Sequence, residues 1–181
     1  MRAFFIILAF IASPAYAEMV KLAVPNDRGM QLFWWPKLEA PSGWHQEMEA
    51  SFRTSSNVMV QDGSTFSNSP TVIYARAIYK PRVRNIGSLS QLIENDHRDF
   101  RENVSRITIE ETEHAITADG NALQSYLFTP EDEGNWERVS YGEEADYFLI
   151  FTVSSRSEEG LNEAMETYDE VVRSYSESPN K

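Results

Sequence analysis

The sequence predicts an α+β domain in which an antiparallel β-sheet is flanked by helices. Three observations predict it. Residues 72–79 and 147–153 are β-branched and aromatic runs of strand length. Two longer segments, opening at Ser88 and at Ser155, repeat apolar residues every three or four positions, as amphipathic helices do. Asp62-Gly63 and Asp119-Gly120 are dipeptides that admit positive φ in tight turns, so each should join neighbouring antiparallel strands. Strands, a helix, more antiparallel strands and a terminal helix make an α+β chain.

The first element is read as a targeting segment. MRAFFIILAFIASPAYA carries one positive charge at Arg2, an apolar run over residues 4–12, and Ala15 and Ala17 at the positions signal peptidase recognises. The apolar run falls short of the roughly 20 residues that span a bilayer, and Pro14 interrupts it. Residues 1–17 are therefore expected to be a signal peptide cleaved after Ala17, which makes the mature protein periplasmic or secreted. Residues 18–181 form a single domain, long enough to bury about 70% of the surface its unfolded chain exposes. No later apolar stretch approaches spanning length, so no membrane span is expected in the mature chain.

The stretch QLFWWPKLEAPSGWHQ, from Gln31 to Gln46, holds three of the four tryptophans. On a strand, adjacent side chains point to opposite faces, so Trp34 and Trp35 are both buried only if the strand is covered on both sides. If it is not, one of them is an exposed platform for a protein or a small apolar ligand. Trp44, entering a strand after the Gly43 turn, is expected in the core. A buried tryptophan removes on the order of 200 Å² from water, worth about 5 kcal/mol as an upper estimate. A chain without cysteine depends on such burial, because it has no disulfide, no thiolate nucleophile and no cysteine-ligated metal.

After the strand at 72–79 comes Tyr79-Lys80-Pro81-Arg82-Val83-Arg84, a basic stretch without acids. Lys80, Arg82 and Arg84 either grip an acidic partner or phosphate, or form a solvated connector. The first helix places Leu89, Leu92, Ile93, His97, Phe100 and Val104 on one face, with Ser88 and Gln91 as a capping box. Residues 106–117 and 121–129 flank Asp119-Gly120. A further hairpin, turning near 142–145, should pair 136–141 with YFLIFTV at 147–153. That run is apolar on both faces and should be central in its sheet. The last helix carries Leu161, Ala164, Met165, Tyr168, Val171, Val172 and Tyr175, with Ser155 and Glu158 expected at its start.

Charge is unevenly placed. Residues 76–106 carry seven bases and four acids, whereas residues 107–181 carry four bases and eighteen acids. The whole chain is −12, and −13 without Arg2, which argues against nucleic acid or an anionic membrane as the main partner.

Ala40-Pro41-Ser42-Gly43-Trp44 after an early strand, and YFLIFTVSSRS leading into an amphipathic helix that ends VVRSY, resemble the PsbP-like (Mog-like) superfamily over residues 32–175. That resemblance implies an α/β/α sandwich built on an antiparallel sheet. It also implies a role in binding or assisting other proteins, and it supplies no catalytic residues.

Enzymatic motifs are missing: the chain has no G-x-S-x-G, P-loop, H-E-x-x-H, G-x-G-x-x-G or EF-hand loop. Ser154 and Ser155 read as a helix cap rather than as nucleophiles. His97, on the apolar face of its helix, reads as a boundary residue. His45 with Glu47 and Glu49 at alternate positions would share one strand face, and Glu113 and His114 lie in another strand. Either set could bind a divalent metal, and adjacent strands could merge them. The expected function is a non-enzymatic binding or accessory module for an envelope protein or small ligand, with no cofactor. The alternative is a secreted hydrolase or metal-dependent enzyme built on His45, His114 and nearby carboxylates.

Overall fold

The computed structural model describes residues 19–27, 29–104 and 106–176. The proposed signal peptide lies outside the described residues. The chain runs β1 (Met19–Asn26), β2 (Gly29–Pro36), β3 (Trp44–Gln46), α1 (Met48–Thr54), β4 (Asn57–Gln61) and β5 (Thr71–Tyr79). A single 3-10 turn, Lys80–Arg82, leads to α2 (Leu89–Asn103), then β6 (Ile107–Ile116), β7 (Ala122–Pro130), β8 (Trp136–Glu144), β9 (Tyr147–Ser155) and α3 (Glu158–Arg173). β1 and β2 form a hairpin sheet of their own. The other seven strands make one sheet in the order β3-β4-β5-β9-β8-β7-β6, every pairing antiparallel.

The expected sandwich of helical layers around a sheet is not formed. The chain is mostly β, with a seven-stranded sheet, a two-stranded sheet and only three α-helices among the described residues. The reason is dimensional. Seven strands at about 4.8 Å spacing are roughly 30 Å across, whereas a helix of 15 or 16 residues is about 23 Å long and 10 Å wide. One long helix lies on each face, and one helix does not make a layer.

β9 is central, as its two-faced apolarity predicts. Leu149, Phe151 and Val153 join the core beneath α3 with Ile73, Ala75, Leu123, Leu161, Tyr168, Val171 and Val172. Phe148 and Ile150 join the core beneath α2 with Leu92, Ile93, Phe128, Val139 and Tyr141. A smaller cluster of Ala50, Val58 and Val60 lies under α1.

The turns agree with their dipeptides in part. Gly120, at φ 84°, sits in the β6–β7 turn. Gly63, at φ 80°, begins a longer loop between the paired strands β4 and β5. The β8–β9 pairing extends to Glu144 and Tyr147, so the turn falls a little later than expected, with Ala145 at φ 43°. Ser88 caps α2 as expected, its Oγ accepting from the Gln91 backbone N–H at 3.2 Å. The cap of α3 is Ser157, whose Oγ accepts from the Gly160 N–H at 3.1 Å. Ser155 instead ends β9 and hydrogen-bonds Thr71 Oγ1 at 2.9 Å, because the strand continues two residues beyond the apolar run. Among the described residues, no helix is long and apolar enough to cross a membrane.

Candidate functional site

The hairpin β1–β2 answers the question raised by the adjacent tryptophans. β2 is covered on both sides at its base. Trp35 is 1% exposed and packs with Phe33 and with Phe52 of α1, its ring centroid 5.7 Å from that of Phe52. Trp34 points the other way. It donates its indole N–H to the Ala77 carbonyl at 3.0 Å and meets the Tyr79 ring edge-on at 6.1 Å. Trp35 is therefore a core residue, and the platform reading falls to Trp34, which stays half-buried. Trp44, on the edge strand β3, is also half-buried against the α3-side core.

Beside Trp34 opens a groove of about 450 Å³, lined by Lys21, Leu32, Tyr79, Arg82, Asp146 and Tyr147 among others. The guanidinium of Arg82 lies 4.4 Å from the Trp34 ring centroid, and Tyr79 and Tyr147 pack at 5.3 Å. Such a cation over an indole face is worth about 0.5 to 1 kcal/mol at an exposed site. Burial, and secondarily the Tyr79 neighbour, pushes the Tyr147 hydroxyl above its usual value. Lys21, Ala23, Pro25, Met30, Leu32 and Trp34 share one hairpin face, because directly paired residues of an antiparallel ladder project to the same side. Met30 and Leu32 are 62% and 53% exposed, so an apolar strip runs from the hairpin tip into the aromatic groove.

The basic stretch divides. Arg82 enters the groove. Lys80 turns away to Glu143 Oε1 at 2.6 Å and to the Ala145 carbonyl, lying over the Phe148 ring. Arg84 is exposed beyond the 3-10 turn.

The two histidine sets do not meet. His45 is on β3 and His114 on β6, the opposite edges of the sheet, six strand spacings or roughly 30 Å apart. His45 Nδ1 is 3.2 Å from Asp62, and His114 Nε2 is 3.1 Å from Glu111. Glu47 and Glu49 do not share the His45 strand face, because β3 stops at Gln46 and α1 begins at Met48. Glu47 is the N-cap residue of α1 and Glu49 is exposed in its first turn. Glu113 lies at the β-bulge of β6, where its backbone carbonyl accepts from Arg138 at 2.7 Å. Among the described residues, no three His, Asp or Glu side chains converge as metal ligands.

A second constellation escaped the sequence reading. On the α2 face, a cleft of about 220 Å³ is lined by Tyr74, Arg76, Asp96, Phe100, Glu137, Val139, Ile150 and Thr152. Asp96 accepts from the Tyr141 hydroxyl at 2.5 Å and lies 3.7 Å from Arg76. Ser154 donates to Glu137 Oε1 at 2.6 Å and accepts from Asn135 Nδ2 at 3.0 Å. Glu137 Oε2 and Arg76 Nε are buried and have no hydrogen-bond partner among the described residues. Burial pushes Glu137 up to about 7; the Ser154 hydroxyl holds it back and the Asp96 charge adds to the rise. Burial lifts the Tyr141 hydroxyl far above its usual range, with Asp96 adding to it. The nearby His97 is lowered, chiefly by burial and then by Arg101, and stacks edge-on against Tyr126 at 4.6 Å. The available signal was a charged residue at an inward position of an apolar strand, as in TVIYARAIY and WERVSYG.

No family model matches the chain, and no curated protein matches it. Its fold is similar to the crystal structure of PA94 from Pseudomonas aeruginosa, a protein of unknown function proposed as a regulator. The identity is 11% and the TM-score 0.52, over 91% of this chain and 99% of that one. At that identity the likeness concerns the fold alone.

Proposed function

We propose that the chain is an exported accessory module, not an enzyme, that holds an apolar, acid-bearing segment of an envelope protein along the β1–β2 hairpin. The observation that carries this reading is the continuity of the exposed Met30 and Leu32 with the groove of Trp34, Tyr79, Tyr147 and Arg82. Apolar and aromatic walls with a few polar groups suit capture of a side chain rather than a reaction. Lys21 and Arg82 outnumber the one acid of the groove, Asp146, on a chain of net charge −12, and they favour a segment with an acid beside its apolar residues. Export and membership of the PsbP-like group belong to the same proposal. A hydrolase or metal site joining His45 and His114 is not carried forward, given their positions on opposite edges.

The test is calorimetric titration with two amphipathic peptides of equal apolar content, one flanked by Glu and one by Lys. The Glu-flanked peptide is expected to bind the protein. Leu32→Glu and Arg82→Glu should each weaken that binding at least tenfold while shifting Tm by no more than surface substitutions do. Equal binding of both peptides, or unchanged binding by both variants, overturns the proposal.

A further inference from the structure

The cleft beneath α2 carries an inference separate from the hairpin groove. Its charges do not balance. Arg76 on β5 and Asp96 on α2 face each other and compensate one another, and Asp96 also takes the Tyr141 hydroxyl. Among the described residues, Glu137 on β8 has only the Ser154 hydroxyl on one oxygen, while its other oxygen is unpartnered in a residue 7% exposed. A buried carboxylate in that state is costly unless it takes a proton or a cation reaches it. The rest of the wall is Val139, Ile150, Phe100 and the Tyr74 ring, with the single hydroxyl of Thr152. Two carboxylates are too few, and Arg76 too close, for a divalent ion, which seeks six or more oxygen ligands. An organic ammonium suits the site better, since it brings one charge, a directed N–H and an apolar body for these walls.

We propose that this cleft binds a short-chain primary amine, its ammonium donating to Glu137 Oε2 and its alkyl chain lying on Val139, Ile150 and Phe100. Proton and amine then compete for one carboxylate. The groups facing that carboxylate are Tyr74 and Arg76 from β5, Asp96 from α2, and Tyr141 from its own strand. His97, further along α2, has its charged form disfavoured by burial and then by Arg101. The amine itself stays protonated throughout, as a lysine side chain does. Affinity therefore rises as the pH passes upward through the Glu137 range.

The experiment titrates n-butylamine, 1-butanol and butyrate into the purified full chain at about pH 8 and about pH 5.5, followed by the methyl signals of Val139 and Ile150. At the higher pH, n-butylamine is expected to saturate these shifts at least tenfold more tightly than the other two, and to weaken about tenfold or more at the lower pH. Glu137→Gln should remove both the preference and the pH dependence. A preference for butyrate, equal affinity for 1-butanol, no saturable shift, or pH-independent amine binding each overturns the proposal. The unmodified protein supplies all four of those outcomes, so the test stands whether or not the variant folds.

Discussion

The two faces of the seven-stranded sheet bury different kinds of polar group. Beneath α3, buried hydroxyls and an arginine are linked in hydrogen-bonded chains. Tyr168 donates to Ser140 Oγ at 2.6 Å and is also within 3.2 Å of the Phe151 carbonyl, while Ser140 meets Ser125 at 2.7 Å. Arg138, 4% exposed, holds Asp169 at 3.0 Å and the Glu113 carbonyl at 2.7 Å over the Tyr168 ring. Among the described residues, Glu137, Arg76 and His97 each keep a buried polar atom without a partner beneath α2, and on the α3 side so do Arg138 at Nε and Asn57 at Oδ1. The same strands supply both faces, since Glu137 and Arg138 are neighbours on β8. The difference lies in the kind of group left unmet: beneath α2 it includes a carboxyl whose charge changes with pH, whereas beneath α3 Arg138 is held by Asp169 through its other nitrogens.

That contrast can be broken at its tightest point. Tyr168→Ala removes a fully buried ring from the α3 face and should cost about 3 to 5 kcal/mol, read as a fall in the denaturation midpoint.

On the other face the expected sign reverses. Folded Glu137 holds its proton up to about 7, against 4.5 for the ordinary group, so its folded form binds the proton more tightly than the unfolded chain. Stability is then full at low pH, and falls as the pH climbs from about 4.5 to about 7, where the buried carboxyl must ionise. Glu137→Gln should remove that slope and stabilise the protein at about pH 8 by up to about 3 kcal/mol, with little effect near pH 4. Thermal melts of both proteins across this range measure it. Destabilisation of the variant at about pH 8 would mean that both faces are equally settled.

The smallest effect sharpens the helix boundary. Ser157→Ala should cost about 1 kcal/mol through loss of the α3 cap, while Ser88→Ala should cost a similar amount at α2, both read from urea midpoints.

What could be read in the sequence was whatever repeats. YFLIFTV announced a strand buried on both sides, and the stripe through Leu161, Ala164, Tyr168 and Val172 announced α3 and its buried face. The spacing of Ser88 and Gln91 located the start of α2. Features set by tertiary placement could not be read in this way. The three-residue β3 gives way at Glu47 to a one-and-a-half-turn helix that periodicity cannot resolve, and the metal set at His45 dissolved with it. The width of the sheet is set by how the strands pair, so the helices became single ribs on a wide sheet. Half of the tryptophan question was legible, since alternation forced Trp34 and Trp35 apart. Which of them met α1 depended on a hairpin that docks from outside the main sheet. The Arg76, Asp96 and Glu137 cleft joins residues from β5, α2 and β8, and no local pattern brings those three together.

The order of the strands also constrains how the molecule comes into being. β5 leaves the ribosome long before β9, its partner along the full length from Thr71 to Ser155. Until β9 arrives, the sheet is two unjoined fragments with open inner edges. The seam closes last, through contacts distant in the chain, which places folding in the millisecond-to-second regime of non-local β topologies. A nascent chain of this design stays pliable until almost all of it has been made.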